Sequence, residues 1–177
     1  MSDALRRLRR RDPLADASAQ VPRVYAYVAY RIGDGPDAED VTGEAFARAV
    51  RYRDSYDSAK GAPLDWLIGI ARRCIDDFLS RPRADGDPPE TAALWDLEDE
   101  TLTRVTVQEA VATLSERDRE LLALRYGADL TARQIALQLG LATNAVEVAL
   151  HRALERLRPL LEGDRDEVDV RVSARRR

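Results

Sequence analysis

Residues 130–161 read LTARQIALQLGLATNAVEVALHRALERLRPLL, and their spacing decides the fold. Thr131 is followed three residues on by Gln134, the pairing of a capping box, so a helix opens there and runs to Leu139. Gly140 stops it, because a left-handed backbone costs glycine nothing. After a three-residue turn a longer helix starts near Thr143 and carries Val146, Leu150, Leu154 and Leu157 at helical spacing. Short helix, glycine turn and longer helix form the helix-turn-helix arrangement. Ile135, Leu139, Val146 and Leu150 would pack the pair together. The second helix would then offer Thr143, Asn144, Glu147, Val148 and His151 to a major groove. Asparagine reads adenine and glutamate accepts from cytosine, while Arg133 and Arg152 are placed for phosphates. An ordinary helical hairpin fits the same local pattern. The helix from Thr143 to Arg158 carries three arginines against two glutamates, a weak electrostatic footprint.

Upstream of this motif, Ser115 is a good N-cap with Asp118 three residues on, Leu121, Leu122 and Leu124 follow, and Gly127 ends that helix. Val107, Val111 and Leu114 sketch one face of a shorter helix before it. Between Ala84 and Glu100 stand seven acids and no base, together with Gly86, Pro88 and Pro89, which reads as a flexible acidic linker. On such a linker two arrangements stay open: the segments on either side tumble separately, or an inhibitor clamps them together. Leu94, Trp95 and Leu97 are its apolar exceptions. Before the linker, Val24, Tyr27 and Val28 sketch one helix. Asp34 is placed to cap a second, with Pro36 in its first turn and Val41, Ala45, Phe46, Ala49 and Val50 along it. A polar loop over 54–63 precedes a third helix, Leu64 to Arg81, with Leu67, Ile70, Ala71, Cys74 and Phe78 on one face and Pro82 to end it.

Composition limits the function classes. The chain has 177 residues, of which 45% are apolar and 34% charged, with a net charge of −4. That supports packed cores and argues weakly against nucleic acid, so the placement of the charges matters more than their sum. Cys74 and His151 are the only cysteine and histidine, which rules out a disulfide within the chain and leaves no zinc ligand set. No cofactor and no metal are expected. No apolar run approaches the ~18 residues of a membrane helix, so no membrane insertion is expected, and a reducing cytoplasm fits. Neither a nucleophile–base pair nor a phosphate-binding glycine loop is present, and Asp76 and Asp77 point to different helix faces. The chain therefore reads as a non-enzyme.

Three stretches together resemble the extracytoplasmic-function group of sigma factors of bacterial RNA polymerase. Residues 130–161 resemble the family's region 4, which binds the −35 promoter element. The preceding LSERDRELLALRYGADL, 114–130, resembles the helix and turn leading into it. DAEDVTGEAFARAVRYRDSYDSAKGAPLDWLIGIARRCIDDFLSR, 37–81, resembles region 2. The resemblance implies an all-α protein of two small helical domains, a region 2 bundle and a region 4 helix-turn-helix, joined by the flexible acidic linker. The expected divisions are a basic N-terminal tail over 1–17, region 2 over 18–82, the linker over 83–102, region 4 over 103–161 and a charged, frayed tail over 162–177. It further implies a factor that directs polymerase core in recognising both promoter elements, melting the duplex and initiating transcription. Core, through its largest-subunit coiled coil and its flap, promoter DNA and an anti-sigma factor are the implied partners.

The resemblance also assigns residues. Asp34 to Glu44 holds five acids and no base. Asp37, Asp40 and Glu44 would meet basic groups of the coiled coil, with Val41 and Phe46 adding apolar contact. From Arg48 to Arg73 six bases face three acids. There the loop carrying Tyr56, Asp57, Ser58 and Lys60 resembles the one that captures a flipped base of the −10 strand, a task that needs flexible backbone, hydrogen-bonding groups and a ring. Arg72, Arg73 and Asp76 adjoin it, and Trp66 is read as core. For the −35 element the assigned residues are Arg133, Thr143, Asn144, Glu147, Val148, His151 and Arg152. The chain departs from the family pattern where Glu147 and Ala149 replace common basic residues, where Val148 replaces serine and where Gly43 replaces glutamine. These departures point to an unusual −35 sequence or a heavier reliance on −10 contacts. The rival reading is a stand-alone helix-turn-helix regulator that never touches polymerase.

Overall fold

The computed structural model describes residues 12–81 and 107–175, with side chains to Leu161, and its described residues contain helices and no strand. The first three helices are α1 (Ala17–Ile32), α2 (Pro36–Arg51) and α3 (Pro63–Leu79), with a short 3-10 turn, Arg53–Ser55, between α2 and α3. Each follows from its apolar stripe. Val24, Tyr27 and Val28 of α1, Val41, Ala45 and Ala49 of α2, and Leu67, Ile68, Ala71, Cys74 and Ile75 of α3 are all buried in one cluster.

The second group begins with helical residues 107–112, followed by α4 (Glu116–Leu122), a π turn over Ala123–Gly127, α5 (Ala132–Leu139) and α6 (Thr143–Arg175). Ser115 caps α4, its hydroxyl accepting from the Asp118 N–H at 3.2 Å. The Thr131–Gln134 box opens α5, the Thr131 N–H donating to Gln134 Oε1 at 3.0 Å and the Gln134 N–H to Thr131 Oγ1 at 3.3 Å. Gly140 closes it in the left-handed region at φ 66°. Arg156 of α6 donates to both carboxylate oxygens of Asp118 at 3.0 and 2.9 Å and ties α6 to α4.

Some expectations change. Gly35, at φ 128°, takes the N-cap position of α2. Asp34 instead accepts the Tyr25 hydroxyl, so its carboxylate faces back to α1. The helix expected over Leu64 to Arg81 is one residue longer at its start and ends at Leu79. The backbone of α6 stays helical to Arg175, past Pro159 and through the stretch read as a frayed tail. The linker, with Leu94, Trp95 and Leu97, lies outside the described residues, as do Pro82 and the start of the N-terminal tail.

The two groups of helices are not separate in space. One apolar cluster runs from Val24, Val28 and Ile75 through Leu121, Leu124 and Leu130 to Ile135, Val146 and Leu150. The two groups therefore share a core in this state. A second cluster joins Val111, Leu114, Leu122, Ala153 and Leu157, with Tyr30 of α1 against it.

Candidate nucleic-acid interface

The helix-turn-helix presents its candidate DNA-facing residues outward. Ile135 and Val146 are fully buried and fix α5 against α6, with Leu150 also buried. Thr143, Asn144, Glu147, Val148, His151 and Arg152 are all exposed on the first turns of α6, and Arg133 is exposed on α5. The face carries little net charge. His151 Nε2 lies 3.4 Å from Glu155, an ion pair only when the imidazole is protonated.

The second candidate face lies on the loop between α2 and α3. Tyr56 and Trp66 meet edge to face, centroids 5.6 Å apart at 60°. Tyr56 donates its hydroxyl to the Gly61 carbonyl at 3.0 Å. Asp57 accepts the Ala59 N–H at 3.0 Å, which folds the loop on itself. Lys60, 84% exposed, reaches to 3.8 Å from Asp57. Ser58, Arg73 and Asp76 are exposed. Trp66, read as core, is half-buried, packs against the core and also walls the loop. Beside it Glu44, Arg48, Arg51, Tyr52, Ile70 and Arg73 line a shallow depression. Arg48 is held there by Glu44 at 2.7 Å and Asp77 at 2.6 Å.

On α2, Asp37, Asp40 and Glu44 are exposed and Phe46 is half-buried against the core. Val41, expected to offer apolar contact to a partner, is 5% exposed and spent on the internal core. The i, i+4 spacing that places it near Ala45 turns it inward, away from the acids.

Between the two faces lies a polar seam that local sequence patterns do not announce. Glu120 of α4 is buried, and Arg31 of α1 lies against it with only 4% of its side chain exposed. Arg31 also lies 3.3 Å from Glu116. The Tyr27 hydroxyl donates to both Glu120 oxygens at 3.1 and 3.2 Å. Arg72, assigned to the −10 face, has Nε 3.7 Å from the same carboxylate. Arg23 donates to the Ala128 carbonyl at 2.6 and 3.0 Å and to the Asp129 carbonyl at 2.9 Å. On α5, Gln134 donates to the Asp65 carboxylate at 3.2 Å and Gln138 to the Asp65 carbonyl at 2.7 Å. The one local hint was that Arg31 and Glu120 are charged residues at otherwise apolar helix positions.

Burial pushes the Tyr27 phenol up to about 12. A folded-state value above the ordinary 10.0 means that this group's stabilisation is complete below pH ~10 and is lost as pH climbs through ~12. Stability followed by urea melts should fall over that window, and Tyr27→Phe should remove most of the fall. An unchanged profile would place the phenol in water.

Comparison with known proteins decides the family. A family model of sigma-70 region 2 matches residues 18–84, and one of sigma-70 region 4 matches residues 104–157. The ECF RNA polymerase sigma factor SigK of Mycobacterium ulcerans is 30% identical, over 79% of this chain and 80% of its own length. SigD of Mycobacterium tuberculosis, likewise an ECF RNA polymerase sigma factor, is 32% identical over 77% of this chain and 71% of its own. The chain belongs to the ECF sigma factors. As a member of that family it acts in promoter recognition and transcription initiation. The ECF sigma factor BldN of Streptomyces coelicolor is 29% identical, and the chain spans 57% of its length. The fold is shared with the sigma factor RpoE of Bartonella quintana, solved with the anti-sigma factor NepR (TM-score 0.62, 19% identity, 83% of this chain and 94% of that one). It is also shared with CnrH, solved with the cytosolic domain of CnrY (TM-score 0.59, 22% identity, 85% and 86%). Among the described residues no helix is long and apolar enough to cross a membrane.

Proposed function

We propose that this ECF sigma factor divides its work among three surfaces. The acids Asp37, Asp40 and Glu44 of α2, with Phe46 beside them, engage the coiled coil of polymerase core. The loop of Tyr56, Asp57, Ser58 and Lys60, backed by Arg72, Arg73 and Asp76, takes unpaired −10 bases. The start of α6, with Arg133, reads the −35 duplex. Trapping unpaired bases favours the opened duplex by differential binding alone, so the chain needs no catalytic group and no cofactor. A partner of polymerase works in the cytoplasm, and the exposed faces of α2 and α6 suit a clasping anti-sigma factor.

The observation that carries this reading is the pairing of a cap-defined helix-turn-helix with an aromatic-walled polar loop and an acidic helix face on one chain. Co-elution of the full chain with polymerase core in a stoichiometric complex tests it. Failure to bind core, with duplex binding retained, would leave a stand-alone regulator.

Glu147 makes the −35 face unusual. A carboxylate beside phosphates weakens binding, whereas a lysine there releases about one further counterion. Glu147→Lys should tighten duplex binding and steepen its log–log salt slope by about 1, as fluorescence anisotropy across a salt series would show. An unchanged slope would remove Glu147 from the interface.

A further inference from the structure

We infer that the depression between α2 and α3 is a nucleotide site, in which Tyr52 stacks the base and Arg51 and Arg73 hold the phosphate. The inference rests on the proposed function only where the nucleotide belongs to the −10 strand; the depression's own geometry carries the rest.

The charges in the depression do not cancel. Its volume is about 360 Å³ and its walls are Glu44, Arg48, Arg51, Tyr52, Ile70 and Arg73, a size within the ~300–1,000 Å³ of small-ligand sites. Three cations therefore stand against one acid. Arg48 is partly spent, its Nε donating to Glu44 at 2.7 Å and its Nη1 to Asp77 at 2.6 Å. Those two bonds fix the guanidinium plane and leave Nη2 for a ligand. Arg51 and Arg73 are exposed, and among the described residues neither has an ion-pair or hydrogen-bond partner. Two unneutralised guanidinium groups on one depression attract an anion, and their forked donors suit the oxygens of a phosphate.

A bare phosphate would leave the rest of the depression unfilled. Tyr52, 53% exposed, offers a ring, and Ile70, 8% exposed, offers an apolar floor. A base stacks on an aromatic side chain whatever its identity, because every base has a π face. A ring beside a phosphate clamp thus matches a nucleoside phosphate. The depression also adjoins the loop. Trp66, Ile70 and Arg73, spaced four and three apart, share one face of α3, and their seven residues cover ~10 Å of helix. A strand with one base against the Tyr56 and Trp66 rings delivers a neighbouring nucleotide to Tyr52 and Arg73 at high effective concentration. The same chemistry accepts a free nucleotide, so the source is a matter for the experiment.

Two sets of titrations of the full chain test the site and separate the sources. One uses AMP and GMP; the other uses fluorescent single-stranded oligo(dA) and oligo(dT) of about a dozen nucleotides, a length within known single-strand site sizes. Tyr52→Ala should weaken binding of the true occupant about tenfold through the lost stack, and Tyr52→Phe should restore it. Arg51→Gln should weaken it as well and, for a strand, lower the log–log salt slope by about 0.7. Both side chains are exposed, so helical content should stay that of the wild type. If Tyr52→Ala loses it, Arg51→Gln carries the comparison. Sensitivity of the oligonucleotides alone makes the occupant part of a strand; sensitivity of AMP or GMP, with oligonucleotide affinity unchanged, makes it a free nucleotide. Indifference of both probes to Tyr52→Ala and Arg51→Gln, or no binding of either probe, would overturn the site. Oligonucleotide affinity unmoved by Tyr56→Ala and Lys60→Ala would count against the proposed loop contact, while the Tyr52 and Arg51 comparison would still decide the depression.

Discussion

Glu120→Ala should cost the protein about 3–5 kcal/mol, the range for removing one partner of a buried ion pair. The charge left behind is Arg31, 4% exposed, whose other acid, Glu116, is 72% exposed and cannot neutralise it alone. Tyr27 would lose its acceptor as well, and its hydroxyl is buried. Urea unfolding followed by far-ultraviolet circular dichroism measures the loss. Arg31→Met in the same chain should restore much of it, because the pair's desolvation penalty disappears with its attraction. A loss below about 1 kcal/mol would mean that Arg31 reaches water without unfolding.

A second large effect is expected at the heart of the helix-turn-helix. Ile135 is fully buried against Val146, which is also fully buried. Ile135→Ala should lower stability by about 2–5 kcal/mol through lost burial and an unfilled cavity. The functional loss should exceed what unfolding alone explains. In the proposed −35 contact the angle of α6 on α5 would set where Asn144 and Glu147 meet base edges, and one such contact discriminates by ~1–3 kcal/mol. Duplex affinity of the folded fraction should fall about tenfold, the equivalent of ~1.4 kcal/mol. Retained affinity at reduced stability would show that the reading helix is positioned by Gly140 and the Thr131 cap without this packing.

These two residues mark the boundary of what was legible in the sequence. Ile135 was readable because local chemistry decides it. The Thr131–Gln134 box, the Gly140 stop and the apolar spacing on both sides agree with one another. Ser115 as a cap and Cys74 as a small core residue were legible for the same reason. Glu120 was not, because its partners Tyr27, Arg31 and Arg72 are remote in sequence and no local period relates them. Gly127 was legible as a break and illegible as a crossing point. Its role is fixed by the backbone of Tyr27 and by a π turn that inserts one extra residue. Val41 belongs to the apolar stripe of α2 and is buried, so the partner contact that the family resemblance implied for it is not available. Asp34 was misplaced because a glycine with no side chain took the cap position and Tyr25 took the carboxylate.

The site is legible in a similarly divided way. The candidate residues Thr143, Asn144, Glu147, Val148, His151 and Arg152 of α6 and Asp57, Ser58 and Lys60 of the loop are exposed, as the helical periodicity and the loop composition led one to expect. Their proximity to one another was hidden, since nothing short of the folded seam brings Asp65 to Gln138.

Run-off transcription with purified bacterial core polymerase, with and without this protein, on a pool of promoter fragments tests the central claim most directly. Discrete new transcripts that appear only with the protein, and that are lost when the −10 sequence shared by their promoters is scrambled, are the predicted result. No new transcripts, from a core preparation that responds to another sigma factor and forms no complex with this chain, would contradict the account.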